Sequence, residues 1–95
     1  MYDIMMRYDF RWNNWNHDHI AAHGVDPQDA QFVVCNARRP YPRKIGDGKY
    51  LVIGQAANGT YCQVIYVFDP DTKIFIIHAR PLTGEEKRRY RRSQR

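Results

Sequence analysis

His78 and Arg80 stand two residues apart in the run Ile74-Phe75-Ile76-Ile77-His78-Ala79-Arg80, and an extended chain sends alternate side chains to the same side. An imidazole that titrates near neutral pH beside a permanent guanidinium suits phosphodiester cleavage. The histidine moves a proton from a ribose 2′-hydroxyl or to the leaving oxygen, and the arginine holds the charge of the phosphorane. Lys49, which opens an earlier apolar run, adds a cation that holds the RNA backbone. The plainer alternative is a hydrogen-bonded core histidine beside an arginine bonded to a helix end, and spacing alone favours it.

His19 and His23 lie four apart and share one face of a helix. Two imidazoles with no Cys, Asp or third His at a supporting spacing are a weak metal signature, so no metal is expected. Structural roles suffice for them: His23 near a helix C-terminus favours the dipole, and His19 stacks near Trp15. Trp12 and Trp15 are expected in the core, since large rings are the main source of buried area in a small domain. Tyr41, between Pro40 and Pro42, is the better candidate for an exposed base-stacking ring. Cys35 and Cys62 are too few for a disulfide scaffold, and two reduced, partly buried thiols are expected.

Charge is placed unevenly. The chain carries a formal +5. Residues 1–79 balance, so the whole excess lies in residues 80–95, which hold seven Lys/Arg against Glu85 and Glu86. A second basic segment lies at Arg38, Arg39, Arg43 and Lys44. Lys87, Arg88, Arg91 and Arg92 of the tail and the basic segment with Tyr41 are therefore candidate contacts for a polyanion, RNA first. A solvated charged helix or an acidic protein partner are the competing readings. No apolar run approaches the roughly 20 residues that span a bilayer. The opening residues, with Asp3, Arg7 and Asp9, lack the apolar stretch of a secretory signal, so a cytoplasmic location without membrane contact is expected.

These residues must be positioned by a single domain, because 95 residues leave room for one small core. Tyr8, Phe10 and Trp12 alternate with Arg7, Asp9 and Arg11, which predicts an opening strand over 6–12. Asn13 or Asn14 caps a helix to His23, closed by Gly24, and Asp26-Pro27 opens a second helix that ends near Val34. The Arg-, Pro- and Gly-rich stretch 36–48 reads as a surface loop. Three strands follow over 49–56, 60–68 and 73–80, joined at Asn58-Gly59, read as a type I′ turn, and at Asp69-Pro70-Asp71-Thr72. Ile74, Ile76, His78 and Arg80 are assigned one face of the last strand and Phe75, Ile77 and Ala79 the other, which predicts a central strand. Thr83 and Glu86 write a capping box for a basic C-terminal helix over 83–95. The fold class is α+β, a mainly antiparallel four-stranded sheet in the order strand, helix, helix, strand, strand, strand, helix.

The ordered set Tyr8-Asp9-Phe10-Arg11-Trp12, His23-Gly24-Val25, Tyr50-Leu51-Val52-Ile53-Gly54, Val64-Ile65-Tyr66-Val67-Phe68, Ile76-Ile77-His78-Ala79-Arg80 and the basic helix with Tyr90 resembles the BrnT-type toxins. The resemblance implies a RelE-like fold and the toxin role of a type II toxin–antitoxin pair. It further implies metal-independent endoribonuclease activity without a cofactor, growth arrest, and neutralisation by a cognate antitoxin that also binds DNA. By position, Arg80 matches the strand-end arginine of the family and His23 its His-Gly helix end, while His78 stands where the family usually has serine. The competing class is a binding module of the same fold with little or no catalysis.

Overall fold

The computed structural model describes residues 8–94. The first helix, α1 (Asn14–Ala21), starts where two asparagines cap each other: the Asn13 side chain accepts from the Asn16 N–H at 3.1 Å, and the Asn16 side chain accepts from the Asn13 N–H at 2.8 Å. Gly24, at φ +77°, closes it. Val25 N–H reaches back to Ile20 C=O at 3.2 Å and Gly24 N–H to Ala21 C=O at 2.9 Å, a Schellman closure, so His23 sits in the closing turn beyond the helix itself. Helix α2 (Pro27–Cys35) begins with Pro27 in the first turn, where its missing N–H costs nothing. Asp26 precedes it in extended conformation but makes no side-chain cap bond.

Four antiparallel strands follow in the spatial order β1-β2-β3-β4: β1 (Arg43–Gly46), β2 (Lys49–Gln55), β3 (Tyr61–Phe68) and β4 (Ile74–Pro81). The last helix, α3 (Gly84–Ser93), opens with the expected capping box, in which the Thr83 hydroxyl accepts from the Glu86 N–H and the Glu86 carboxylate accepts from the Thr83 N–H at 2.9 Å. The result is a small α+β fold. None of its helices is long and apolar enough to cross a membrane among the described residues.

Several features depart from the sequence expectation. The predicted opening strand lies partly outside the described residues, and within them only Phe10 bridges β4, at Ile74. The fourth strand is instead β1, inside the stretch read as a loop; it turns into β2 through Asp47 and Gly48, both at positive φ as a type I′ turn requires. At Asn58-Gly59 only Gly59 is at positive φ, and its N–H bonds Ala56 C=O at 2.9 Å, so that hairpin has a three-residue loop. Lastly, β4 is the edge of the four-strand ladder, not its centre.

A bulge in β4 changes which residues share a face. Ile65 pairs with His78 and Tyr66 with Ile76, so Ile77 is the extra residue. Before it, Ile74 and Ile76 point into the core; after it, the buried residue is Ala79. His78 and Arg80 thus still share a side, but the one opposite Ile74 and Ile76. The core lies between the sheet and α1 with α2: Ile20 and Val33 are buried with Val52, Val64, Ile74 and Ile76. Gly54 faces Val33, where a Cβ would stand 3.6 Å from a valine methyl, so α2 lies close on β2. Of the other sheet face, Leu51, Ile53, Ile65 and Val67 are half-buried.

Asn16 is the one buried polar side chain in this core among the described residues, and besides its cap bond it donates to Arg11 C=O at 3.1 Å. It therefore fixes the incoming segment to the start of α1. Replacing Asn16 with Leu leaves the Asn13 N–H and the Arg11 carbonyl without that partner, and the expected loss is about 2–3 kcal/mol of stability. Urea unfolding measures it; a loss below about 1 kcal/mol would show that the asparagine is dispensable.

Candidate nucleic-acid interface and histidine cluster

Helix α3 buries no residue completely, yet it is held in place. Leu82, Glu86, Tyr90 and Gln94 recur every four residues, and all four are half-buried while the basic residues around them are exposed. Each of the last three has a partner. The Arg80 guanidinium grips the Glu86 carboxylate with two bonds of 2.8 Å, and Arg80 also donates to Pro81 C=O at 3.1 Å and to the Gln63 side chain at 3.3 Å. Tyr90 lies between Tyr41 and Tyr61, with ring centroids at 6.2 and 5.9 Å. Gln94 donates to Arg39 C=O at 2.9 Å, closing the helix onto the basic segment.

The electrostatics follow from these contacts. The Arg80 bonds first, and the Thr83 N–H next, hold the Glu86 carboxyl down at about 2. Glu86 in turn raises Arg80, so both stay charged across the physiological range. Burial first, then Tyr41, pushes the Tyr90 phenol up, so its hydroxyl stays protonated.

Two clefts flank Tyr90. One, of about 390 Å³, is lined by Arg38, Arg91, Gln94, Gln55 and Tyr61 beside Tyr90. The other, of about 330 Å³, is lined by Tyr41, Arg43, Arg89, Gln63 and Glu86 beside the same ring. Each thus takes one arginine from the segment 38–43 and one from α3, although these are some fifty residues apart in the chain. The Arg43 guanidinium sits 5.3 Å from the centre of the Tyr41 ring, and the Lys87 ammonium 5.7 Å from that of Tyr61.

The predicted RNA contacts divide accordingly. Arg38, Arg43, Tyr41 and Arg91 line the clefts; Arg39, Lys44, Lys87, Arg88 and Arg92 are exposed and line neither. Arg89 and Gln94 line them too; for Gln94 the four-residue stripe with Leu82, Glu86 and Tyr90 was the available signal, and for Arg89 its place among the basic residues of the tail. His78, Arg80 and Lys49 are not gathered at one point. Arg80 turns to α3, and Lys49 is exposed at the far end of β2. The register sets Ile53, Gln63 and Arg80 in one row, and Lys49 lies four residues, about 13 Å, down the strand from it.

His78 meets other partners. Its ring centre is 5.4 Å from that of His23 and 6.1 Å from that of His19, and His19 and His23 are themselves 6.1 Å apart. The third imidazole that the sequence spacing lacked is supplied by β4. Trp15 lies flat on His19, at 5.1 Å and 6°, and stacks on Phe75 at 6.1 Å, with the Arg11 guanidinium 4.3 Å over the Phe75 ring. Trp15 is 56% exposed, contrary to the core role expected of it, because α1 lies along the edge of β4 and its Trp15-His19-His23 side overhangs that edge. Trp12 is half-buried and donates from its indole nitrogen to Gln31 at 2.6 Å. Burial, then His23, His19 and Arg80, lowers the His78 imidazole below its ordinary value. Cys35 and Cys62 are both buried.

Comparisons with protein-family models, with curated proteins and with solved structures find no match for this chain. The site is therefore read from its own geometry.

The Arg80–Glu86 pair sets a pH dependence. Because Glu86 is held near 2 in the fold and near 4.3 when unfolded, its stabilising effect is complete above about pH 5. It fades as the pH falls through the folded value. Urea midpoints of the wild type should thus fall between pH 5 and pH 2 more steeply than those of Glu86→Gln, and parallel curves would show that the pair adds nothing.

Proposed function

We propose that the protein binds single-stranded RNA across the ring of Tyr90, with phosphates on the arginines of the two clefts. The observation that carries this reading is the convergence of Arg38 with Arg91 and of Arg43 with Arg89 on either side of one tyrosine. Clefts of this size lie at the lower end of those that take small ligands, and here two stand side by side across an aromatic ring that a base can stack on. Guanidiniums on both rims supply the backbone contacts. Acidic residues are scarce there: Glu86 is the only carboxylate lining either cleft among the described residues, and Arg80 neutralises it.

Fluorescence anisotropy with an unstructured RNA oligomer tests this directly. Binding should weaken with salt, and the logarithmic salt slope should fall by roughly one for Arg38→Ala, roughly one for Arg91→Ala and roughly two for the double variant. The exposed Lys44→Ala, away from both clefts, should change the slope less. Equal effects of all these substitutions would overturn the clefts as the binding surface.

A second reading keeps the chemistry implied by the BrnT resemblance: a RelE-like, metal-independent endoribonuclease toxin, neutralised by an acidic antitoxin on the same basic face. One observation favours it, since Arg80 stands directly behind Glu86 and Gln63 at the wall of the second cleft. A phosphate that displaces Glu86 would meet that guanidinium, which stabilises a phosphorane formed by attack of the 2′-hydroxyl. RNA incubated with the protein and EDTA should then be cut, and Arg80→Lys, checked for folding by circular dichroism, should lose at least a hundredfold in rate. Uncut RNA that is nevertheless bound removes this reading and leaves the first.

A further inference from the structure

We propose that His19, His23 and His78 form a binding site for a borderline divalent transition-metal ion, zinc first, with a fourth position open to water. This stands apart from the RNA reading and does not depend on it. Each ring offers one nitrogen, and the three nitrogens lie within 4.8 Å of one another. On a tetrahedral ion with metal–nitrogen bonds of 2.0–2.1 Å, ligand nitrogens stand roughly 3.3 Å apart. The rings must therefore close by up to about 1.5 Å. His19 and His23 are exposed and can rotate to do so, while His78 is held on the sheet.

The chemistry of the donors selects the ion. Three imidazole nitrogens and no carboxylate suit zinc, copper or nickel and exclude calcium and magnesium, which need oxygen. Arg80, two residues along β4, is the nearby cation that opposes metal binding, and its charge is matched by the bidentate Glu86. None of the three rings makes a hydrogen bond among the described residues, so no existing bond has to break when a nitrogen turns to a metal. Trp15 stacks on His19 and limits how that ring can turn. The three ligands come from α1, its closing turn and β4, so the ion would clamp the helix to the edge strand it packs against.

Protein expressed without a histidine tag, stripped with EDTA and returned to metal-free buffer, is titrated with zinc by calorimetry. One equivalent should bind to the wild type and to His17→Ala. Affinity should drop tenfold or more in each of His19→Ala, His23→Ala and His78→Ala. Cobalt should give the visible absorption of a four-coordinate site, and copper should quench Trp15, whose ring lies against one ligand. No binding, or binding that survives His19→Ala or His23→Ala, would overturn the site; both residues are exposed, so these two variants decide the matter even if His78→Ala fails to fold. Zinc retained by the triple variant would place the ion elsewhere in the molecule and overturn it equally.

Discussion

The bidentate contact between Arg80 and Glu86 is the constraint on which the basic face depends. Helix α3 has an interior too polar to be held by burial, and ten residues of such composition do not stay helical alone in water. Two bonds of 2.8 Å fix its first turn to the end of β4, and the same carboxylate completes the capping box by accepting from Thr83. Glu86 therefore serves the start of the helix and its direction at once. With that turn fixed, Tyr90 arrives one turn later between Tyr41 and Tyr61, and Gln94 a further turn on reaches the carbonyl of Arg39. The arginines between these contacts are left exposed in a fixed array.

Much of this was legible in the chain. Asn13, Gly24, Pro27 and Thr83 mark helix ends by local chemistry that acts over four or five residues, and the structure has helix ends at all of them. Strands β2, β3 and β4 follow from apolar runs bounded by turn residues. What could not be read depends on partners remote in sequence. The alternation at Tyr8, Phe10 and Trp12 has the period of a strand, but past Ile74 the edge of β4 is taken by α1, and Phe10 alone finds a partner there. Asp47-Gly48 carried as strong a hairpin signal as Asn58-Gly59; the prolines and charges before it hid the short strand it closes.

The candidate site was legible to the same degree. That the loop and the tail were both basic is a matter of composition, whereas their meeting at Tyr90 requires the sheet to bring residue 38 beside residue 91. The four-residue stripe of Leu82, Glu86, Tyr90 and Gln94 was present as a pattern but is uncommon in composition, since a carboxylate and an amide stand where apolar residues usually do. The third histidine was invisible for a different reason. No spacing rule links residues 19 and 78, and the bulge at Ile77 turns His78 away from the core face that unbroken alternation would give it.

That bulge separates two chemistries along one strand. Without the extra residue, alternation would carry His78 and Arg80 into the interior beside Ile74 and Ile76, where an unpaired guanidinium is costly. With it, Ala79 fills the core position, and the two polar side chains emerge on the other face of the sheet. They then diverge: His78 meets the histidines of α1 across the strand edge, and Arg80 meets α3. A phosphate drawn to Arg80 would compete with Glu86, and whatever loosens that pair also loosens the first turn of α3. Substrate contact at Arg80 and docking of the helix are thus linked through one carboxylate, whereas RNA held only on the arginines around Tyr90 leaves the linkage undisturbed. On the proposed binding reading the helix keeps its anchor, whereas cleavage would call on the one arginine the fold can least spare.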